Sequence, residues 1–322
     1  MLGIEPKIEK QLRNAKYGIY NHSAVQICTW TKKSLHSEGV CYKEKFYGID
    51  CHRCMEFSPA AVFCQQNCIF CWRPMEFMGP RKIEDEQADE PDVIYEKLVE
   101  ERKKLLSGFP GDGKTDMKKF GEAQIPNHFA ISLSGEPTLY PKLPRLVRFL
   151  RGLPQTRSVF IVTNAQEPDM FKRLVKEDGL PTQLYVSVNA PNRMLFEMVN
   201  RPSYENAWER FLTSLEIFRK METRRVLRLT MIKGMNMDDM FLDQYADLIE
   251  QANPHFLEIK AYMWIGFSRK RLSENNMPSH EEIRNYARKL EERTNFGIAD
   301  EKEDSRVVLL ASGKEKVTRF IE

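Results

Sequence analysis

Beyond residue 60 the chain alternates short apolar runs with longer stretches whose apolar positions recur every three or four residues. This is the pattern of strands alternating with amphipathic helices in a parallel α/β fold. The runs predict strands at Ala60–Cys64, Phe129–Ser134, Ser158–Thr163, Gln183–Val188, Val226–Ile232 and Phe256–Ala261. The helical periods fall at Val93–Leu106, Leu143–Leu150, Asp169–Lys176, Tyr204–Met221, Asp239–Gln251 and Glu281–Arg293. Six such units predict an α/β fold, a partial (β/α)6 TIM-like barrel with its active site in the loops at the carboxyl ends of the strands. Pro6–Asn14 reads as a charged outer helix and Arg306–Leu310 as a last strand. The expected organisation is an N-terminal extension over 1–57, the barrel over 58–300, and a C-terminal strand and tail over 301–322.

Composition narrows the class without naming an activity. The 322 residues are 42% hydrophobic and 30% charged, enough to build one large core. No run of about 18 apolar residues occurs, and Met1 to Lys10 lacks the apolar core of a signal peptide, so a soluble, cytoplasmic protein without a membrane partner is expected. Forty-nine Lys and Arg against 46 Asp and Glu give a net charge of +3, in which local basic patches matter more than the total. Seven cysteines in a reducing compartment point to metal rather than to disulfides.

The cysteines carry the chemistry. Cys64, Cys68 and Cys71 follow one another at three- and two-residue gaps on a short aromatic-rich loop. Three thiolates so placed can hold three irons of a [4Fe–4S] cluster and leave the fourth open to a small molecule. A zinc knuckle or redox thiols would favour paired Cys-x2-Cys spacings. Upstream, Cys28, Cys41 and Cys54 stand thirteen positions apart, with Cys51 as an extra thiol. They invite a second three-ligand cluster, with a structural zinc or buried free thiols as the alternative. Lys43, two residues after Cys41, is an amine held near that charge, and desolvation there would favour its nucleophilic form.

Several strand ends carry short polar motifs: Ser134-Gly135-Glu136-Pro137-Thr138, Thr163-Asn164-Ala165 and Ser187-Val188-Asn189-Ala190. Singly, each is an ordinary turn; together they line one rim. Gly108 to Thr115 formally matches the phosphate-binding pattern G-x4-G-K-T, but a helical run precedes it rather than a strand, so it reads as a connection. The acidic Glu84 to Glu90 reads as a solvated linker. Trp264 leads into Arg269-Lys270-Arg271, a combination suited to RNA phosphates and unpaired bases, and equally to a barrel core followed by a solvated turn.

The Cys64–Cys71 spacing with an aromatic before the last cysteine resembles the radical S-adenosylmethionine enzymes. In these, S-adenosylmethionine is chelated by the open iron and cleaved to a 5′-deoxyadenosyl radical. Ser134-Gly135-Glu136-Pro137 resembles their Gly-Gly-Glu-Pro motif, with serine in place of the first glycine. Taken with Cys28, Cys41-Tyr42-Lys43, Phe46-Tyr47-Gly48, Cys54 and Pro137-Thr138-Leu139-Tyr140-Pro141, the order of motifs resembles the 4-demethylwyosine synthase family in its compact archaeal form, without the flavodoxin-like domain. The resemblance implies a barrel of the radical S-adenosylmethionine type with a cluster-binding N-terminal extension, and condensation of N1-methylguanosine beside the anticodon of phenylalanine tRNA with pyruvate. It implies S-adenosylmethionine and two [4Fe–4S] clusters, one on Cys64, Cys68 and Cys71 and an auxiliary one on Cys28, Cys41 and Cys54. Lys43 would form a Schiff base with pyruvate, and Ser134, Gly135, Glu136, Thr163, Asn164, Ser187 and Asn189 would meet S-adenosylmethionine. Arg73, Trp264, Arg269, Lys270 and Arg271 would meet the tRNA. An external flavodoxin- or ferredoxin-like electron donor and a monomeric chain complete the expectation, and Cys51 is left as a spare thiol. A glycyl-radical activase would leave Lys43 and the upstream cysteines without a purpose, and a zinc-bearing RNA-binding protein would not explain the strand-end motifs.

Overall fold

The computed structural model describes residues 2–74, 82–314 and 317–321. Met1, residues 75–81 of the expected barrel, and residues 315, 316 and 322 of the expected tail lie outside the described residues.

The chain opens with helix α1 (Pro6–Asn14) and a hairpin of β1 (Tyr17–Tyr20) and β2 (Ser23–Gln26). Its two-residue turn begins with Asn21 at φ 46°, the left-handed conformation that such hairpins require. Two short helices follow, α2 (Thr29–Leu35) and α3 (Tyr42–Tyr47), each with a cysteine at its N-cap, Cys28 and Cys41. Then come β3 (Cys54–Ser58), α4 (Pro91–Leu106), α5 (Met117–Ala123), β4 (His128–Ile131), α6 (Leu143–Gly152), β5 (Ser158–Thr163) and α7 (Pro168–Lys176). The remainder is β6 (Gln183–Ser187), α8 (Arg193–Asn200), α9 (Ala207–Phe218), β7 (Arg224–Met231), α10 (Leu242–Ala252), β8 (Phe256–Ala261), α11 (His280–Glu291), β9 (Phe296–Lys302) and β10 (Val307–Ser312).

Among the described residues one sheet runs in the order β1-β2-β3-β4-β5-β6-β7-β8-β10-β9. Strands β3 to β8 are mutually parallel and adjacent in chain order, while β1–β2 and β10–β9 extend the two edges antiparallel. Both faces are covered, which explains the near-continuous apolar runs of β4 and β5, buried at every position. The outer face packs on Ile94 and Leu98 of α4, Leu146 and Leu150 of α6, Phe171 of α7, Leu215 of α9, Ile249 of α10 and Leu290 of α11. The concave face carries Phe160, Val162, Tyr185, Val226 and Phe256, and against it lie Tyr42, Phe46 and Tyr47 from α3. The short α3 thus closes the lumen of the sheet from within.

The sequence misplaces the first parallel strand. Ala60-Ala61-Val62-Phe63 is not a strand but a loop pressed into the core, with Ala60 and Ala61 at 0% exposure. The strand is Cys54-Met55-Glu56-Phe57-Ser58, in which Met55 and Phe57 face the outer core and Cys54 and Glu56 are less buried. Helices α4 and α7 begin at Pro91 and Pro168, earlier than their periodicity indicates, because proline suits the first helical position. The Gly108–Thr115 stretch joins α4 to α5 through a turn of 3-10 helix, so it lacks the preceding strand that a phosphate-binding loop of this pattern follows.

Candidate radical and substrate site

The Cys64–Cys71 loop leaves the carboxyl end of β3 and is fastened to three other elements. The Asn67 amide donates to the carbonyls of Asn200 and Arg201 at 3.0 and 3.1 Å, and the Ile69 amide donates to Val199 at 2.9 Å, so the end of α8 is a template for the loop. Ser203 donates its amide to the Gln65 carbonyl at 2.8 Å. Arg271 Nε donates to the Ile69 carbonyl at 3.0 Å, and its Nη2 bonds the Cys71 carbonyl. Beside it the Phe267 amide donates to the Trp72 carbonyl at 3.0 Å. Gly266, at φ +57°, permits that approach, since a Cβ there would lie 2.5 Å from the same carbonyl.

The strand-end motifs converge on this loop. Gly135, at φ +69°, sits so close that an added Cβ would fall 1.8 Å from the Ala60 carbonyl, and the Glu136 amide donates to Phe63 at 2.6 Å. Ser134 Oγ donates to the Ala61 carbonyl. Glu136 is 2% exposed. Its Oε1 accepts from the Thr138 amide and hydroxyl and from Thr163 Oγ1, the last at 2.6 Å, while Oε2 accepts from the Asn164 amide at 2.8 Å. Burial pushes this carboxyl up, against the opposing pull of those hydrogen bonds. Asn164 Nδ2 approaches Cys64 Sγ at 3.8 Å and Gln65 Oε1 at 3.2 Å. Asn189 Nδ2 donates to Asn200 Oδ1 at 3.1 Å, and Cys68 Sγ lies 3.6 Å from that same oxygen. Asn189 Oδ1 is buried with no partner among the described residues. Ser187 ends β6 opposite Arg228 of β7, partly open.

The second group of thiols gathers around α3. Cys28 and Cys41 are N-caps, Cys54 opens β3, and Cys51 lies in the 3-10 turn between them. Burial pushes the Cys28 thiol up to about 11, with Glu56 and Cys41 adding to the rise. Burial also raises Cys54, and in the other group Cys64 and Cys68, each further lifted by neighbouring acidic groups or thiols. Cys41 is held down, first by a hydrogen bond from Cys51. Crowded thiols resisting ionisation fit a site that ionises them only when a cationic metal group is bound. Among the described residues no three His, Cys, Asp or Glu side chains meet as a ready site for one metal ion.

Lys43 extends from α3 into the lumen, 8% exposed. Its Nζ lies 5.0 Å from the centroid of the Phe160 ring and 4.7 Å from that of Tyr185. Glu56, Arg228 and Lys260 share this lumen through their electrostatic influence on one another. Burial first, and then Arg228, pushes the Lys260 ammonium down to about 8. Nothing in the sequence singles out Arg228, Lys260 or Glu56, which only the alternation of strand faces could have marked.

Residues singled out for RNA divide in two. Arg269 and Lys270 are exposed, resting on the rings of Trp264 and Phe267 at 4.8 and 4.6 Å. Arg73 is 4% exposed, stacked 3.4 Å from the centroid of Trp72, and Trp264 is half-buried with its Nε1 donating to Leu272. Arg271 clamps the cysteine loop.

Parallel strands in chain order with three thiols on the loop after the first of them define a radical S-adenosylmethionine enzyme, and the profile of the Radical SAM superfamily matches residues 59–243. A second profile, wyosine base formation, matches 251–312. The S-adenosyl-L-methionine-dependent tRNA 4-demethylwyosine synthase of Pyrococcus abyssi is 48% identical over 90% of this chain and 83% of its own length. That of Methanocaldococcus jannaschii is 39% identical over 98% of each. A solved structure of TYW1 with a lysine–pyruvate adduct bound superposes with a TM-score of 0.86 at 37% identity, covering 98% of both chains. The chain belongs to the S-adenosyl-L-methionine-dependent tRNA 4-demethylwyosine synthase family. It is therefore an enzyme of tRNA modification that uses S-adenosylmethionine and a [4Fe–4S] cluster. Among the described residues no helix is long and apolar enough to cross a membrane.

Proposed function

We propose that the enzyme condenses N1-methylguanosine beside the anticodon of phenylalanine tRNA with pyruvate, and that Lys43 captures the pyruvate as an imine. The observation that carries this is the position of Lys43, an amine buried in the lumen between two aromatic rings and two residues from Cys41. The lysine–pyruvate adduct in the TYW1 structure supports the same reading.

Cys64, Cys68 and Cys71 would hold the first cluster, and Cys28, Cys41 and Cys54 would hold an auxiliary one, which would supply a Lewis-acidic iron beside Lys43. When bound, the first cluster and S-adenosylmethionine supply a 5′-deoxyadenosyl radical, the reactivity that an N-methyl C–H bond demands. The chain's own residues position and exclude. Glu136 ties the ends of β4 and β5 together and keeps one oxygen less occupied, on Oε2, for the amino group of S-adenosylmethionine. Ser134, Gly135, Thr163, Asn164, Ser187 and Asn189 complete that cradle, and the unpartnered Asn189 Oδ1 is an acceptor waiting for a ligand donor. Phe160 and Tyr185 shield the Lys43 amine from bulk water, which protects an imine from hydrolysis. Arg269 and Lys270 offer charge to RNA phosphates, on a rim that Arg73, Trp264 and Arg271 hold in shape. A flavodoxin- or ferredoxin-like protein supplies electrons, and the chain acts as a monomer.

The test is borohydride trapping with labelled pyruvate. Wild-type chain should retain label, and Lys43→Arg and Lys43→Ala should not, while both variants keep their iron. Arginine preserves the charge but has no readily deprotonated nitrogen, so it separates anchoring from covalent capture. A Lys43→Arg enzyme that forms product at a near-normal rate would rule out the imine.

A further inference from the structure

The lumen of the sheet holds basic groups that its own carboxylates do not meet. On β7, Leu227 and Leu229 lie in the outer core and Val226 in the inner one, so the alternation of faces turns Arg228 into the lumen. The same alternation on β8 puts Glu258 and Lys260 on that face with Phe256, and Leu257 and Ile259 outside. Lys43 enters from α3. The parallel strands bring two carboxylates to this face, Glu56 of β3 and Glu258. Among the described residues neither lies within ion-pair distance, 4.0 Å, of Arg228, Lys43 or Lys260. Glu258 is fully buried and takes a hydrogen bond from Tyr47, whose hydroxyl donates to Oε1 at 2.9 Å. Lys260 is engaged elsewhere, its Nζ donating to the Ser305 carbonyl at 2.9 Å and lying 5.1 Å from the centroid of the Tyr42 ring. A guanidinium drawn away from water without a facing carboxylate is costly, and a bound anion offsets that cost.

Strand register places this guanidinium relative to the captured substrate. Tyr185 pairs with Val226, and two residues further on Ser187 pairs with Arg228. The Lys43 amine lies 4.7 Å from the Tyr185 ring. Arg228 therefore stands one lumen layer, roughly 6.6 Å, nearer the carboxyl ends of the strands, where the cysteine loop begins. Imine formation joins the Lys43 nitrogen to the keto carbon and releases water, and the carboxylate one bond away keeps its charge. We propose that Arg228 is a specificity-determining residue that holds this carboxylate in a bidentate pair, so that the site takes 2-oxo acids and refuses uncharged ketones. This rests on the reading that Lys43 captures pyruvate. A planar guanidinium matches both carboxylate oxygens, and that pair together with the imine bond fixes which way the methyl group of pyruvate faces.

The experiment is borohydride trapping on the full, iron-reconstituted chain before tRNA or S-adenosylmethionine is added. Labelled pyruvate is titrated against wild type, Arg228→Gln and Arg228→Lys, and pyruvamide, of the same size without the charge, is offered as a competitor. Wild type should reach half-trapping at a pyruvate concentration about 10-fold or more below that of Arg228→Gln, with Arg228→Lys between them. Pyruvamide should compete weakly on wild type and as well as unlabelled pyruvate on Arg228→Gln, a loss of discrimination that a merely structural role would not produce. An unchanged titration in Arg228→Gln overturns the proposal. So does wild type blocked by pyruvamide as readily as by unlabelled pyruvate, a result that needs no variant to fold. Normal capture with weakened S-adenosylmethionine binding in Arg228→Gln also overturns it and gives the guanidinium to the methionine carboxylate. Wild type that retains no label refutes the imine at Lys43, a failure distinct from the others.

Discussion

The two groups of thiols stand at opposite ends of one five-residue strand, β3, and they are built in different ways. Cys64, Cys68 and Cys71 come from a single loop at its carboxyl end, whose shape is imposed from outside by carbonyls of α8 and by Arg271. Cys28, Cys41, Cys51 and Cys54 come from two helix N-caps, a 3-10 turn and the first residue of β3, elements gathered where α3 packs into the lumen. A local frame brings its thiols together by sequence spacing; a dispersed one brings them beside something else, here the Lys43 amine. On the proposed function, the difference separates a site for making a radical from a site for holding a substrate.

The largest effects should break the comparison at its centre. Replacing Cys64, Cys68 or Cys71 with Ala should abolish release of 5′-deoxyadenosine, because the open iron requires the three-thiolate frame. Normal release from any of them would remove this loop from the radical chemistry. Cys28→Ala, Cys41→Ala or Cys54→Ala should leave 5′-deoxyadenosine measurable and stop formation of the tricyclic base. If these variants lose both activities together, the two sites are not separable.

Smaller effects sharpen it. Arg271→Ala should loosen the cysteine loop by removing the bonds to the Ile69 and Cys71 carbonyls, lowering cluster occupancy on that loop by about 10-fold or more, as loss of supporting bonds does in other metal sites. Iron retention equal to wild type under mild chelation would make Arg271 dispensable to the loop. Its removal should not touch the upstream cysteines.

The smallest effect concerns the amino end of the sheet, where polar groups serve stability. His128 Nδ1 lies 2.6 Å from Ser158 Oγ and its Nε2 3.8 Å from Asp50 Oδ2, an arrangement that resembles a catalytic triad but is sealed, with Ser158 at 0% exposure. Burial, opposed by Asp50, pushes the imidazole down to about 4. The unfolded chain binds a proton near pH 6.5 that the folded one refuses until about pH 4, so stability falls as the pH drops through that window. The full loss is roughly 3 kcal/mol. His128→Gln should flatten the dependence of the urea midpoint on pH between 4 and 6.5, with product formation at neutral pH little changed. An unaltered slope would place the titrating group elsewhere.

The chain's repeating pattern made β5, β6 and β8 legible nearly to the residue, because a strand buried on both faces is one continuous apolar run. The same rule misled at Ala60-Ala61-Val62-Phe63, which is apolar because Ala60, Ala61 and Phe63 are buried in the core, not because it is a strand. Strand β3 stayed hidden because Cys54 and Glu56 face the lumen and break the run. Arg271 looked like a residue for RNA, since a charge beside aromatic rings says nothing about which carbonyls it will meet.

The sequence by itself determined what depends on neighbours along the chain: the alternation of strands and helices, the three-thiol loop, and the turn at Gly135 that only glycine tolerates. Only the tertiary structure decided what depends on contacts across it. It set Lys43 between Phe160 and Tyr185 and tied Glu136 to Thr163. Spacing can encode a local frame within a few residues, but the folding of α3 into the lumen follows from burying Tyr42, Phe46 and Tyr47 against strands more than a hundred residues away, and no local pattern records that partner.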